Sequence, residues 1–430
     1  MTYRQFIFED YSFDEAAKKL TLHYSLDSAL KFTETYQYDF DFAPYDRAAL
    51  DRACQDLFFM AGVSYYKTYI PPEIVIKKGQ LDTPGAQFFG KTYQRGLGEF
   101  FFINKLDPNT PVNFPPSTQH VRSVTTPSDN AGLLVAIGGG KDSLVSAEIL
   151  RDKAPDIATW SLNHKAQLKP LIDRIGLPHY WVERQWDPQL FTLKETPGAY
   201  NGHVPISAIF ACVGTIVAIL SGRRDVIVSN EQSTNEPMLH YQGVAINHQY
   251  SKSQEFEQDY QEHLKRTLGE SIRYYSFLRP LSEVYIAELF AGLGFSKYHD
   301  VFSSCNRAFV HGSNTIFWDG TCPKCAFVYL ALTPFVPRQQ LEELFGGKNL
   351  LLDPSLEMTY RQLLGIEGDR PLECIGDIKE SRAAMRLAQQ QYPDLAKYQF
   401  DLPADYDYRS LGSHTMPDEY YQLLVAALPA

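Results

Sequence analysis

In the first hundred residues apolar and polar positions alternate with a period of two, in KLTLHYSL (residues 19–26) and TETYQYDFDF (residues 33–42), which predicts antiparallel strands with one buried face. From residue 133 the pattern changes. Short apolar runs at residues 133–137, 157–162, 179–183 and 225–231 are interleaved with helical patterns at 141–150, 167–175 and 204–220. Strand and helix in alternation predict an α/β fold, a parallel sheet with helices on both faces. In such sheets ligands sit beyond the carboxyl ends of the strands, so residues 138–143, 161–164 and 229–231 are expected along one edge. A polar stretch studded with Pro108, Pro111, Pro115, Pro116 and Pro127, reaching Asn130, reads as a linker. The expected organisation is an α+β amino-terminal domain (1–107), this proline-rich linker (108–130), an α/β domain (131–334) and a mainly helical carboxy-terminal extension (335–430).

The strongest chemical signal is LLVAIGGGKDSLVSAEIL, residues 133–150, where a strand pattern breaks into Gly138, Gly139 and Gly140 and restarts as a helix. Glycines let the backbone approach an anion with no Cβ in the way, and a helix start presents free N–H groups and a positive dipole end. A Walker loop would place Ser or Thr where Asp142 stands, and Gly where Val135 stands; a dinucleotide fingerprint would place Gly at Ser143. Residues 138–143 instead resemble the SGGxDS signature of the PP-loop ATP pyrophosphatases, with Gly138 in place of the first Ser and one phosphate donor fewer. The resemblance implies that the loop, with Lys141 and Ser143, holds pyrophosphate, that Asp142 places Mg²⁺, and that ATP is cleaved between its α and β phosphates to leave an adenylate. The Arg279-Pro280-Leu281 turn before a helix resembles these enzymes too.

Composition narrows the function classes. The 51 acidic residues outnumber the 40 basic ones, and a net charge of -11 disfavours the broad basic face that a nucleic acid requires. The 27 Tyr and 27 Phe predict aromatic pockets or interfaces. MTYRQFIFEDYSFDE lacks the charged-then-apolar pattern of a secretory signal, and residues 204–220, apolar but short and rich in Gly, Ala and Cys, predict a buried helix and no membrane span. A cytoplasmic protein is expected. With six cysteines, two of them in one CxxC, a disulfide scaffold is disfavoured. Cys305, Cys322 and Cys325 suit a tetrahedral Zn²⁺ site lacking its fourth ligand, for which His311, Asp319 and Cys374 are candidates, and equally suit small core side chains.

Acid–base candidates cluster past the run that ends at Glu231: His248, Tyr250 and Lys252 lie in one polar stretch, and His203 precedes the apolar helix. Lys67, Lys91 and Arg95 stand among Tyr and Gly in the amino-terminal part, where they are either solvated charges or an anion- and sugar-binding loop.

Taken together, AGVSYYK (61–67), GLGEFF (96–101), GGGKDS (138–143), NGHVPI (201–206), SNEQS (229–233), NHQYSKS (247–253), CPKCAF (322–327) and PLECIG (371–376) resemble the ATP-dependent UDP-N-acetylmuramoyl-L-alanyl-L-glutamate epimerases of peptidoglycan synthesis. The resemblance implies inversion of the terminal L-Glu of UDP-MurNAc-L-Ala-L-Glu to D-Glu through an acyl-adenylate, with release of AMP and pyrophosphate. Adenylation removes the charge of the α-carboxylate, so that an enolate-like intermediate delocalises into a carbonyl and the Cα proton becomes removable. In this scheme Gly138, Gly139, Gly140, Lys141, Ser143 and Ser161 bind ATP, and Asp142 binds Mg²⁺ with help from Glu231. Lys67, Lys91 and Arg95 bind substrate, and His248, Tyr250, Lys252, His203 and Cys374 are the acid–base candidates, Cys374 being either a proton carrier or a zinc ligand. Other readings are a PP-loop enzyme with a different substrate, such as a deazaguanine nitrile synthase or another amide or thio synthase, and a module that senses ATP without turnover.

Overall fold

The structure, a computed structural model, describes residues 3–118, 123–124, 131–153, 156–193, 195–309 and 315–429. Pro127 and Asn130 of the expected linker and His311 of the candidate zinc ligands lie outside the described residues.

The strands are β1 (Gln5–Asp14), β2 (Lys19–Leu26), β3 (Leu30–Asp39), β4 (Glu73–Ile76), β5 (Leu133–Ala136), β6 (Ile157–Leu162), β7 (His179–Gln185), β8 (Asp225–Val228), β9 (Leu239–Tyr241), β10 (Val244–Ile246) and β11 (Arg273–Ser276). Nine of them form one sheet in the order β11-β8-β5-β6-β7-β3-β2-β1-β4, and β9 and β10 form a separate hairpin. From β11 to β7 all neighbours are parallel, with Leu133 of β5 opposite both Ile157 and Asp225. The carboxyl ends of β8, β5 and β6 therefore open side by side, as the strand and helix alternation predicts.

Alternation within β5 divides the interior. Leu133 and Val135 join the core beneath the helices Lys141–Arg151 and Glu283–Leu293, whereas Leu134 joins the opposite core beneath Ile206–Leu220. The helix Ile206–Leu220 is buried along nearly its whole length. Gly214 lets it lie close to the sheet, because a Cβ there would stand 2.8 Å from Val226 and 2.9 Å from Trp160. No helix among the described residues is long and apolar enough to cross a membrane.

The sheet does not end at the proline-rich stretch. Strand β3 pairs antiparallel with β7, from Thr35 opposite Gln185 to Asp39 opposite Trp181, so the amino-terminal strands continue the central sheet. Pairing covers an edge of β7 that would otherwise expose unsatisfied backbone groups. A buried ion pair crosses the junction, with Arg184 Nε 2.8 Å from Glu34 Oε1.

The last hundred residues are mainly helical and packed against the central part. The helix Ile378–Gln389 begins with a capping box between Asp377 and Glu380, and its Ala384, Met385 and Ala388 enter the same core as the helix Pro323–Leu332.

Candidate functional site

At the end of β5 the chain turns through Ile137 and the glycines into the helix Lys141–Arg151. Ser161, at the end of β6, donates its hydroxyl to the Ile137 carbonyl at 2.7 Å, and the Ser303 N–H donates to the Gly139 carbonyl at 3.0 Å. Gly139 has φ of +95°, and a Cβ there would come within 2.7 Å of the Phe309 ring, so both backbone and space require glycine. In front of Gly138 there is open space, with no atom within 4 Å of an added Cβ. The helix starts with no side-chain cap at Gly140. A helix start without a side-chain cap leaves its first N–H groups available to an anion.

Behind the loop lies a cluster of buried charge. Lys141 bonds to the carboxylates of Asp142 and Glu283, and Lys324 Nζ stands 3.6 Å from Glu283 Oε1. Burial opposes the charge of Lys141, but Asp142 and Glu283 outweigh it and hold its pKa above the usual lysine value. Glu283 begins a helix, and its N–H donates to Glu380 of the carboxy-terminal region at 2.9 Å. Burial and the nearby Glu283 charge push Glu231 up to about 7 against the pull of Lys252. The fully buried Arg279 fixes the segment between Glu231 and Lys252, donating to the carbonyls of these two residues at 2.8 and 2.6 Å and pairing with Glu257 at 2.8 Å. The turn singled out in the sequence is thus a clamp on the site's backbone.

Three distant segments meet beside this cluster. Cys374 Sγ lies 3.7 Å from His248 Nε2, and the other nitrogen of that ring, Nδ1, hydrogen-bonds to Glu99 Oε2. The same carboxylate oxygen is 3.7 Å from His203 Nδ1, and the two imidazoles lie 4.5 Å apart, centre to centre. Burial alone would raise the thiol of Cys374, yet Lys252, His248 and Lys324 bring it down to about 6. His248 is pushed down by burial but carried up to about 9 by Cys374 and Glu99. Near neutrality the pair is therefore a thiolate and an imidazolium. His203 is lowered to about 4 by burial and by His248, and stays neutral. Lys252, although burial opposes its charge, is held above the usual lysine range by Cys374 and Glu231. The result is one group poised to accept a proton, Cys374, beside the imidazolium of His248, the cationic Lys252 and the neutral ring of His203.

The other predicted site residues are placed differently. Tyr250 is buried, its ring packs on Phe256, and burial with the nearby Glu255 and Asp259 pushes its phenol above the usual range. Lys91 is paired with Glu255 and Asp259 at 2.9 and 2.6 Å, and Arg95 lies 3.5 Å from Glu255. Lys67 points inward onto the Gly202 carbonyl, and burial lowers it to about 8. Ser143 folds back onto the Gly140 carbonyl at 3.2 Å. The sulfurs of Cys305, Cys322 and Cys325 converge within 4.8 Å of one another, an arrangement that fits three ligands of one ion. Asp319, a candidate fourth ligand, is engaged by Arg307 and Thr321. Cys374, the third candidate, faces His248 and takes no part in the converging trio. Glu99, Glu283, Lys324 and Glu380 are not apparent from the sequence as site residues. Glu99 lies within GLGEFF, Glu283 follows the helix-capping Ser282 and Lys324 lies inside the CxxC, so each was screened by a more conspicuous neighbour.

Two families match the chain: the MurL N-terminal domain over residues 1–277 and the MurL C-terminal domain over residues 301–399. Three relatives bear the name UDP-N-acetyl-alpha-D-muramoyl-L-alanyl-L-glutamate epimerase. The one from Salinispora tropica is 38% identical over 394 residues, 90% of this chain and 85% of that protein. The one from Xanthomonas oryzae pv. oryzae is 37% identical over 372 residues, 85% of this chain and 82% of that protein. The one from a Micromonospora species is 37% identical over 399 residues, 90% of this chain and 87% of that protein.

Proposed function

This chain belongs to the MurL family, and on that premise we propose that it is an isomerase that inverts the terminal L-Glu of UDP-MurNAc-L-Ala-L-Glu to D-Glu for peptidoglycan synthesis. The observation that carries the reading is the pairing of Cys374 with His248 beside Lys252, together with a glycine loop whose Gly138 faces open space. A carbon acid flanked by an amide and a carboxylate needs two things, neutralisation of the carboxylate and a poised base. The site offers residues for both.

ATP, cleaved in the PP-loop manner to AMP and pyrophosphate, supplies the first by converting the α-carboxylate to an acyl-adenylate. Gly138, Gly139, Gly140 and the N–H groups at the start of the helix would hold the phosphates, and Asp142 with Glu231 would hold Mg²⁺. Lys141, bonded to Asp142 and Glu283, orients Asp142 rather than reaching outward. Cys374 takes the Cα proton as a thiolate. Lys252, kept cationic, donates toward the oxygen on which negative charge develops. His203, neutral and next to the protonated His248, would relay a proton from that ring to the other face of Cα while the Cys374 thiol returns its proton to His248. Water would then hydrolyse the acyl-adenylate to the free D-Glu product and AMP. Cys305, Cys322 and Cys325 would hold a structural Zn²⁺. A UDP-linked substrate and a need for ATP suit an enzyme working in the cytoplasm.

The test is incubation of the purified chain with ATP, Mg²⁺ and UDP-MurNAc-L-Ala-L-Glu, followed by acid hydrolysis and chiral chromatography of the glutamate. D-Glu is expected together with AMP. Recovery of L-Glu alone would overturn the reading.

A further inference from the structure

From the geometry we propose that Glu99 is a positioning residue of the epimerisation site, fixing His248 so that its Nε2–H points at Cys374. The inference rests on the epimerase reading and deepens it. Glu99 lies in the short amino-terminal helix Gly98–Ile103, far in sequence from the residues with which it interacts. Its Oε2 accepts from His248 Nδ1 and stands 3.7 Å from His203 Nδ1, so a single oxygen faces both imidazoles. When a carboxylate accepts from one N–H of an imidazolium, the orientation of the ring is fixed and the other N–H is directed outward. Here that other nitrogen faces a sulfur at 3.7 Å. The arrangement is a carboxylate, imidazole and thiol in line, drawn from the amino-terminal, central and carboxy-terminal parts of the chain, and it follows the logic by which a base is oriented by a third group.

The charge around the line agrees with the role. Lys252 and Lys324 face the thiol, Glu373 adjoins it in sequence, and Lys67 and Lys252 face His203. Lys252 in turn faces Glu231 and Asp142. Glu99 is the carboxylate that hydrogen-bonds to the ring of His248, and the two imidazoles together with burial determine its own state: burial opposes its charge, and His248 and His203 bring its pKa below the usual glutamate value. Without that anion the imidazolium loses its partner on the side away from the sulfur, and the thiolate loses part of its stabilisation in turn.

Two readouts test the role, and the first does not require turnover. Alkylation of Cys374 by iodoacetamide, followed across pH by peptide mass analysis, reports its thiolate fraction. In Glu99→Gln the acid limb is expected to move up by about one pH unit, which is roughly tenfold slower alkylation below the limb, and in Glu99→Asp by less. The second readout is the pair of half-reactions: both variants still form AMP from ATP and substrate, while solvent exchange at the glutamate Cα falls about a hundredfold in Glu99→Gln. An unchanged alkylation profile in Glu99→Gln overturns the proposal. So does loss of AMP formation in both variants, which marks Glu99 as a residue needed for folding. A metal equivalent beyond the one assigned to the three cysteines, present in the unaltered enzyme and lost in Glu99→Gln, also overturns it, because Glu99, His203 and His248 would then be ligands of an ion. Should the unaltered enzyme make no D-Glu, the epimerase reading fails, while the alkylation profile still decides the geometry.

Discussion

At the residue scale the proposed chemistry turns on one sulfur. Cys374 is half-buried with two lysines near it and His248 beside it, and its pKa of about 6 lies well below that of an ordinary thiol. Removing the sulfur should separate the two halves of the reaction. Cys374→Ser is expected to go on forming AMP, whereas deuterium exchange at the glutamate Cα drops by about three orders of magnitude, within the range measured for loss of a general base. Exchange by the unaltered enzyme should be bell-shaped in pH. It rises as Cys374 loses its proton near about 6 and falls as His248 loses its own near about 9. The signs follow from the roles: the thiolate exists above the first value and the imidazolium below the second. A flat profile between pH 5 and pH 10 would count against the pair.

Cys374 and His248 were both visible in the sequence as acid–base candidates, but their contact was not. They are 126 residues apart, and no periodicity connects a carboxy-terminal loop with a turn after β10. Tyr250 illustrates the converse: its place among polar residues suggested chemistry, and the backbone turned it into an aromatic core.

At the scale of elements, the strand β5, the glycine turn and the following helix could be read directly, because an apolar run, a special backbone conformation and a helical period each leave a local mark. The same holds for Ile206–Leu220, apolar on every side because it is enclosed on every side. The pairing of β3 with β7 left no such mark, since alternation fixes which face of a strand is buried but not its neighbour. The segment around the CxxC lies between these cases. Cys322 caps the helix Pro323–Leu332 by accepting from the Cys325 N–H, so the spacing has a structural use even without metal. If the trio binds zinc, elemental analysis should find about one equivalent per chain, and Cys322→Ser should lower both metal content and melting temperature. Zinc-free protein with unchanged melting would mean that the cysteines are packing residues only.

At the scale of the whole molecule, what matters is that no one part of the chain holds a complete site. The glycine loop and Asp142 come from the central sheet, Glu99 from the amino-terminal helices, and Cys374 and Glu380 from the carboxy-terminal region. A continuous nine-stranded sheet and the buried Arg184–Glu34 pair hold the first two together, and the shared core of Ile378–Gln389 and Pro323–Leu332 holds the third. The proposed mechanism, in which a carboxylate is activated before the neighbouring carbon loses its proton, would need such a meeting, because the two groups sit on adjacent atoms. The order of the two events is therefore the central claim, and incubation of UDP-MurNAc-L-Ala-L-Glu with the enzyme in D₂O tests it directly. Deuterium should appear at the glutamate Cα only when ATP and Mg²⁺ are both present. Incorporation that proceeds equally fast without ATP would contradict activation before proton removal.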